Sequence, residues 1–140
     1  MVNDIVCCEF ISASTAGIVN VELGFGPDFA ILIADHGKTS PDIYIWFNNA
    51  RWASWAAALA LLITGSTGVV TRVTSGPTVF AGGNLIATAE TANSSPKHVD
   101  LDGTAAAAGH VAAAGLAIPA ALQTNSTRNM LLAGRVNANK

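Results

Sequence analysis

Charge is what this 140-residue sequence has least of. Seven Lys and Arg and nine Asp and Glu make up 11% of it, for a formal net charge of −2, whereas an ordinary soluble domain is about 25% charged. The cations (Lys38, Arg51, Arg72, Lys97, Arg128, Arg135 and Lys140) are scattered along the chain. Nucleic-acid binding rests on massed phosphate contacts, so this spacing excludes it as an expectation. A soluble monomer usually relies on a well-charged exterior. Here the surface has to be covered by Ser, Thr, Asn, Gly and Ala, or by other protein, and the composition fits one part of an assembly.

Cysteine is nearly absent too. The only two, Cys7 and Cys8, are adjacent, and the usual disulfide Cα separation of about 5.5 Å exceeds the 3.8 Å of a trans peptide. No disulfide framework is available, and free thiols fit synthesis in a cytoplasm. Hydrophobic residues reach 51%, yet no run is long enough for a membrane helix of about 20 apolar residues. The N-terminus carries Asp4 where a signal peptide would be basic, and Glu9 breaks its apolar run, so no secretory leader is expected. Without that route the sequons at Asn93 and Asn125 carry no weight. No internal repeat or composition break divides the chain, and 140 residues suit one domain.

What is present is alternation with a period of two. Val19, Val21, Leu23 and Phe25 fall on one face, with Asn20 and Glu22 on the other. Strands are expected at residues 5–12, 17–25, 29–34, 43–47, 69–74, 78–81, 85–91, 98–101, 116–123 and 129–136. The almost continuously apolar residues 29–34 read as a strand buried on both faces. Gly82-Gly83-Asn84 predicts a hairpin between its flanking strands, and residues 124–127 predict the turn of a last hairpin. Trp52, Trp55, Ala56, Leu59, Leu62 and Ile63 follow helical spacing, which predicts one short helix near residues 51–63, with a strand from Ala60 as the alternative. The Ala-rich residues 105–114 read as loop or a single helical turn. Many short strands at such spacing predict an all-β, single-domain antiparallel β-sandwich.

Groups for catalysis are few. His36 follows Asp35 in a turn expected to be exposed, and His110 has no partner in sequence. His98 and Asp100 share strand parity and would serve a nucleophile or a metal, but a solvated strand face explains them more simply. No Gly-x-Ser-x-Gly elbow is present, Gly65-Ser66-Thr67-Gly68 lacks the Lys of a phosphate loop, and there is no Cys/His metal spacing. Asp100-Leu101-Asp102-Gly103 lacks the later Glu of a calcium loop. No catalytic residue, cofactor or metal is expected. Among the aromatics, Tyr44, Trp46, Trp52 and Trp55 are candidates to anchor an interface or stack on sugar. The better of Tyr44 and Trp46 is whichever faces away from Ile43, Ile45 and Phe47. Arg135 completes the candidate interface.

Two stretches carry a family resemblance. One is Val19-Asn20-Val21-Glu22-Leu23, Gly24-Phe25-Gly26-Pro27-Asp28 and Phe29-Ala30-Ile31-Leu32-Ile33. The other is Gly115-Leu116-Ala117-Ile118, Asn125 and Met130-Leu131-Leu132-Ala133-Gly134-Arg135-Val136. Together they resemble the opening and closing strands of a module of tailed-bacteriophage virion structural proteins, found in capsid decoration (cement) proteins and in tail or fibre proteins. The Trp/Ala-rich segment 52–63 departs from that pattern. The resemblance implies a jelly-roll-like sandwich on the capsid surface of a virion. It would self-associate as a homotrimer and bridge subunits of the major capsid protein, with no nucleic-acid or membrane partner. A tail-associated host-recognition or carbohydrate-binding module, stacking sugar on Trp46 or Tyr44, is the alternative. A small hydrolase built on His98 and Asp100 is a third reading.

Overall fold

The computed structural model describes residues 4–52, 55–56 and 59–136. Strands β1 (Asp4–Ile11), β3 (Phe29–Ala34), β4 (Asp42–Phe47), β5 (Ala60–Ile63), β6 (Val70–Val73) and β12 (Arg128–Arg135) form one six-stranded sheet in the order β1-β12-β3-β4-β5-β6. Strands β2 (Val19–Glu22), β7 (Thr78–Phe80), β9 (Lys97–Val99) and β11 (Gly115–Ile118) form a four-stranded sheet in the order β7-β11-β2-β9. Strands β8 (Leu85–Ile86) and β10 (His110–Val111) make a short ribbon. The chain is an all-β sandwich, and a single buried cluster draws on both large sheets. It includes Phe10, Leu32, Tyr44, Trp46, Leu131 and Ala133 from the first sheet and Val19, Val21, Val99, Leu116 and Ile118 from the second.

Local chemistry places the turns. Between β3 and β4 the chain reverses at Asp35, whose φ is +51°, and the Lys38 N–H donates to the Asp35 carbonyl at 3.0 Å. The Gly65–Gly68 segment closes the β5–β6 hairpin, with the Gly68 N–H donating to the Thr64 carbonyl at 2.7 Å. After β2 the Gly24–Asp28 segment carries the chain into the opposite sheet, and the Asp28 carboxylate accepts the Val136 N–H at 2.8 Å. The two resembling stretches meet in space, because β2 pairs with β11 and β3 pairs with β12. In this terminal wrap β1 also pairs with β12, whereas β3 to β6 continue as a meander within one sheet.

The structure corrects several expectations. The described residues of 51–63 form no helix. Arg51 lies in a turn, Trp55 in a bend, and Ala60–Ile63 is the strand β5; residues 53, 54, 57 and 58 lie outside the described residues. Pairing with β4 and β6 outweighs alanine's helix preference, which is only a weak prior. Gly82 and Gly83, with φ of +76° and +88°, do turn the chain, but into another partner. The Gly83 N–H donates to the Ala112 carbonyl and the Ala112 N–H to the Asn84 carbonyl. A side chain at Gly82 would collide with the Ala113 backbone at 2.5 Å. Strand β7 therefore pairs with β11, and β8 with β10. The expected last hairpin is instead a crossing between sheets. Pro119 and a 3₁₀ turn at Ala120–Leu122 lead β11 out of one sheet and β12 into the other. One ladder, β2 with β9, is parallel.

Candidate functional site: the outer face of the six-stranded sheet

Strand parity decides which side chains the six-stranded sheet buries. The cross-strand row Val6–Ala133–Ala30–Trp46–Ala60–Val73 and the row Cys8–Leu131–Leu32–Tyr44–Leu62–Thr71 point toward the four-stranded sheet. The alternate rows point away from it. One is Cys7–Leu132–Ile31–Ile45–Leu61–Arg72, the next Glu9–Met130–Ile33–Ile43–Ile63–Val70, and a shorter one Ile5–Gly134–Phe29–Phe47.

The outward rows are as apolar as the core. Across the four inner strands β12, β3, β4 and β5, every paired position in these rows is aliphatic, Met, Phe or Gly. Charge enters only on the flanks, at Glu9, Arg72 and, near the end of β12, Arg128. Phe29, Ile31, Ile33, Ile43, Ile45, Phe47, Leu61, Ile63, Met130 and Leu132 are partly exposed, and Ile5 and Val70 at the edges are 61% and 59% exposed. At one end the Phe47 ring meets Trp52 and Trp55 edge-on, with centroids 5.4 and 5.1 Å away, which extends the apolar surface. The Trp55 indole N–H donates to the Leu59 carbonyl at 2.8 Å, fixing that ring. Gly134 leaves room for the Phe29 ring, since a side chain there would meet it at 2.4 Å.

Six strands about 4.8 Å apart and roughly 20 Å long present about 500 Å² in plan. The largest contiguous apolar patch on a typical monomer is about 300–600 Å² and is often functional, and this face is of that size. Apolar centre and charged flank also reproduce the anatomy of protein–protein interfaces.

The sequence candidates divide between the two faces. Tyr44 and Trp46 do face away from Ile43, Ile45 and Phe47, but that direction is the interior. They are 8% and 3% exposed, so neither is an interface anchor or a sugar platform as it stands. Burial, and secondarily the Asp42 charge, raises the Tyr44 phenol above its ordinary range. Trp52 and Trp55 belong to the outer face through Phe47. Arg135 shares the parity of Leu131 and Ala133. It pairs with Asp4 and lies 5.1 Å over the Phe25 ring at the end of the sandwich, away from the apolar rows. The aliphatic members of the face escaped selection because an Ile–x–Ile strand does not announce which side is covered. The signal was the absence of polar residues on either parity of residues 29–33 and 43–47.

A second cluster lies on the outward side of the four-stranded sheet. His98 is buried and pairs through Nδ1 with Glu90 at 2.8 Å and through Nε2 with the Asn20 amide at 3.0 Å. Its orienting carboxylate is thus Glu90 and not Asp100, and a buried network replaces the expected solvated face. Asp100 instead accepts the N–H groups of Asp102 and Thr104 in a turn. His110 has a partner after all, the buried Glu22 at 2.7 Å, which also accepts the Ala113 N–H at 3.0 Å. His36 pairs with Glu9 at 2.9 Å. Glu22, His98, Asp100, Thr104, residues 105–107 and His110 line a cavity of about 230 Å³. With both ring nitrogens engaged, His98 has neither a lone pair nor a proton to offer a substrate. Among the described residues no group of three or more His, Cys, Asp or Glu side chains is placed to hold a metal ion.

Two buried groups, Cys8 on β1 and Lys97 on β9, have shifted titrations. Burial, reinforced by Cys7 and Asp100, pushes the Cys8 thiol up to about 12, whereas Cys7 is the exposed thiol. Burial lowers the Lys97 ammonium, with the Glu90 charge opposing it, and its Nζ donates to the Ile11 carbonyl at 3.0 Å.

No protein-family model, curated protein or solved structure matches this chain.

Proposed function

We propose that this protein is a structural subunit that works by burying the outer face of its six-stranded sheet in a larger assembly, and acts by binding, without catalysis. The observation that carries this reading is the run of apolar side chains across four adjacent strands, which stay partly exposed among the described residues. Burying that surface is worth roughly 25 cal/mol per Å², and the scarcity of charge across the whole chain lowers the cost of desolvation wherever a neighbour sits.

The specific assembly we propose is a virion, with the protein decorating the capsid and bridging major capsid subunits. Support comes from the resemblance of residues 19–33 and 115–136 to phage structural modules, together with the pairing of those stretches as β2 with β11 and β3 with β12. Mass spectrometry and cryo-microscopy of purified virus particles test this. Density for the sandwich on the shell is expected, and a protein absent from intact particles sinks the virion reading. Sugar recognition on a tail is less well served, because Tyr44 and Trp46 are interior.

A further inference from the structure

Resting on the reading of this sheet as an assembly surface, we infer that its occupant is a second copy of the same chain, packed face to face about a two-fold axis parallel to the strands. Two properties of the face point to a self-complementary partner. The first is its area. About 500 Å² in plan, increased by side-chain relief and by Trp52 at one end, approaches the roughly 600–800 Å² per partner of a standard stable interface. Sheets pack aligned, about 10 Å apart, when their facing side chains are apolar.

The second is where the charges sit. The outward charges lie at opposite edges of one face: Glu9 on β1, with Arg128 beside it near the end of β12, and Arg72 on β6. A two-fold axis between β3 and β4, parallel to them, lays β12 over the partner's β5 and β1 over the partner's β6. Arg72 then comes over the edge that holds Cys7 and Glu9 of the other copy, one side-chain row from that carboxylate and within reach of a guanidinium. Arg72 has no ion-pair partner among the described residues, while Glu9 holds His36 and Arg128 on the same rim. An axis perpendicular to the strands would instead set β1 over β1 and β6 over β6, keeping each Arg72 at the edge far from Glu9. Charge complementarity therefore selects the parallel axis. An isologous contact of this kind closes at two subunits, where the virion resemblance implied three.

Sedimentation of the full chain tests the stoichiometry, and a short bis-maleimide tests the axis. The isolated protein is expected at twice its 14.3 kDa chain mass. Ile31→Asp halves that mass. Should Ile31→Asp fail to fold, Ile31→Thr, which keeps β-branching, is expected to weaken dimerisation by at least tenfold. Cys7 is the one exposed thiol and Cys8 is buried. The wild type is expected not to cross-link, because the two Cys7 residues sit at opposite edges. Arg72→Cys, facing Cys7 of the other copy, is expected to give a covalent dimer. A monomer at high concentration, a trimer, or cross-linking of the wild type through Cys7 overturns the inference. A dimer that is absent from virus particles sinks the capsid reading alone. A monomer found on the shell sinks the two-fold alone.

Discussion

The two outward faces of this sandwich are treated in opposite ways. On β2 and β9 of the four-stranded sheet the outward side chains are polar (Asn20, Glu22 and His98), and the chain partners them itself with the Glu90 segment, residues 105–107 and the backbone around Ala113. On the inner strands of the six-stranded sheet the outward side chains are almost all aliphatic or aromatic, and among the described residues they stay partly exposed. A solitary globule would do the reverse. Buried polar groups need partners at fixed positions, and the chain's own backbone supplies them reliably. An aliphatic face needs only a matching surface, which another subunit can provide.

The largest test of that contrast compares the two sides of β4. Trp46 points inward with Tyr44, so Trp46→Ala should cost about 3–5 kcal/mol, as large-to-small core changes do. Urea unfolding measures it. A loss under about 1 kcal/mol would mean that the inward and outward parities have been exchanged.

The covered polar face gives the next effect. Removing the His98 imidazole leaves Glu90 and Asn20 buried without their partner, which costs about 1–3 kcal/mol. His36→Ala breaks a His–Glu pair of similar length at the surface, where such pairs are worth about 0–1 kcal/mol. Equal losses for the two variants would show that the Glu90–His98–Asn20 network is open to water.

Much of the fold was legible because alternation is a strong signal. Strands β1, β3, β4, β6 and β12 lie within a residue or two of where residues 5–12, 29–34, 43–47, 69–74 and 129–136 place them. Pairing was less legible, since a Gly-Gly-Asn turn specifies a reversal of the chain but not the strand it returns to. Local spacing alone left residues 60–63 open, since Leu62 and Ile63 satisfy a helical period, while β4 and β6 hold them as the strand read as the alternative. The candidate face was half visible. Trp52 and Trp55 stood out as aromatics, but Ile31, Ile33, Ile43 and Ile45 looked like core, because an apolar residue has the same letter whether its cover comes from its own chain or another. His110 and Glu22, 88 residues apart, could not be paired by any local pattern.

A titration separates the two cysteines of β1, which point to opposite faces. The Cys8 thiol is raised from 9.0 to about 12 by burial first, then by Cys7 and Asp100. The folded chain thus holds a proton that the unfolded chain releases above pH 9. The stability it contributes is fully present below pH 9 and is lost as pH climbs toward 12, at up to about 1.4 kcal/mol per pH unit. Comparing denaturant midpoints of wild type and Cys8→Ala from pH 8 to 11 isolates this contribution, because Tyr44 and Lys97 titrate in both proteins. The variant should show the shallower decline, and parallel curves would place Cys8 in contact with solvent.

The smallest effect on folding should come from Ile45→Thr, one residue from Trp46 on the opposite face. Threonine keeps the β-branch that suits a strand, and its hydroxyl meets water on an open face. Folding stability measured in dilute, dissociated protein should change by less than about 1 kcal/mol, while self-association measured by sedimentation weakens. The two readouts must separate for the contrast to hold. If Ile45→Thr cost as much as Trp46→Ala and left association untouched, the outer rows would be core covered by the chain itself, and the reason for placing a partner there would vanish.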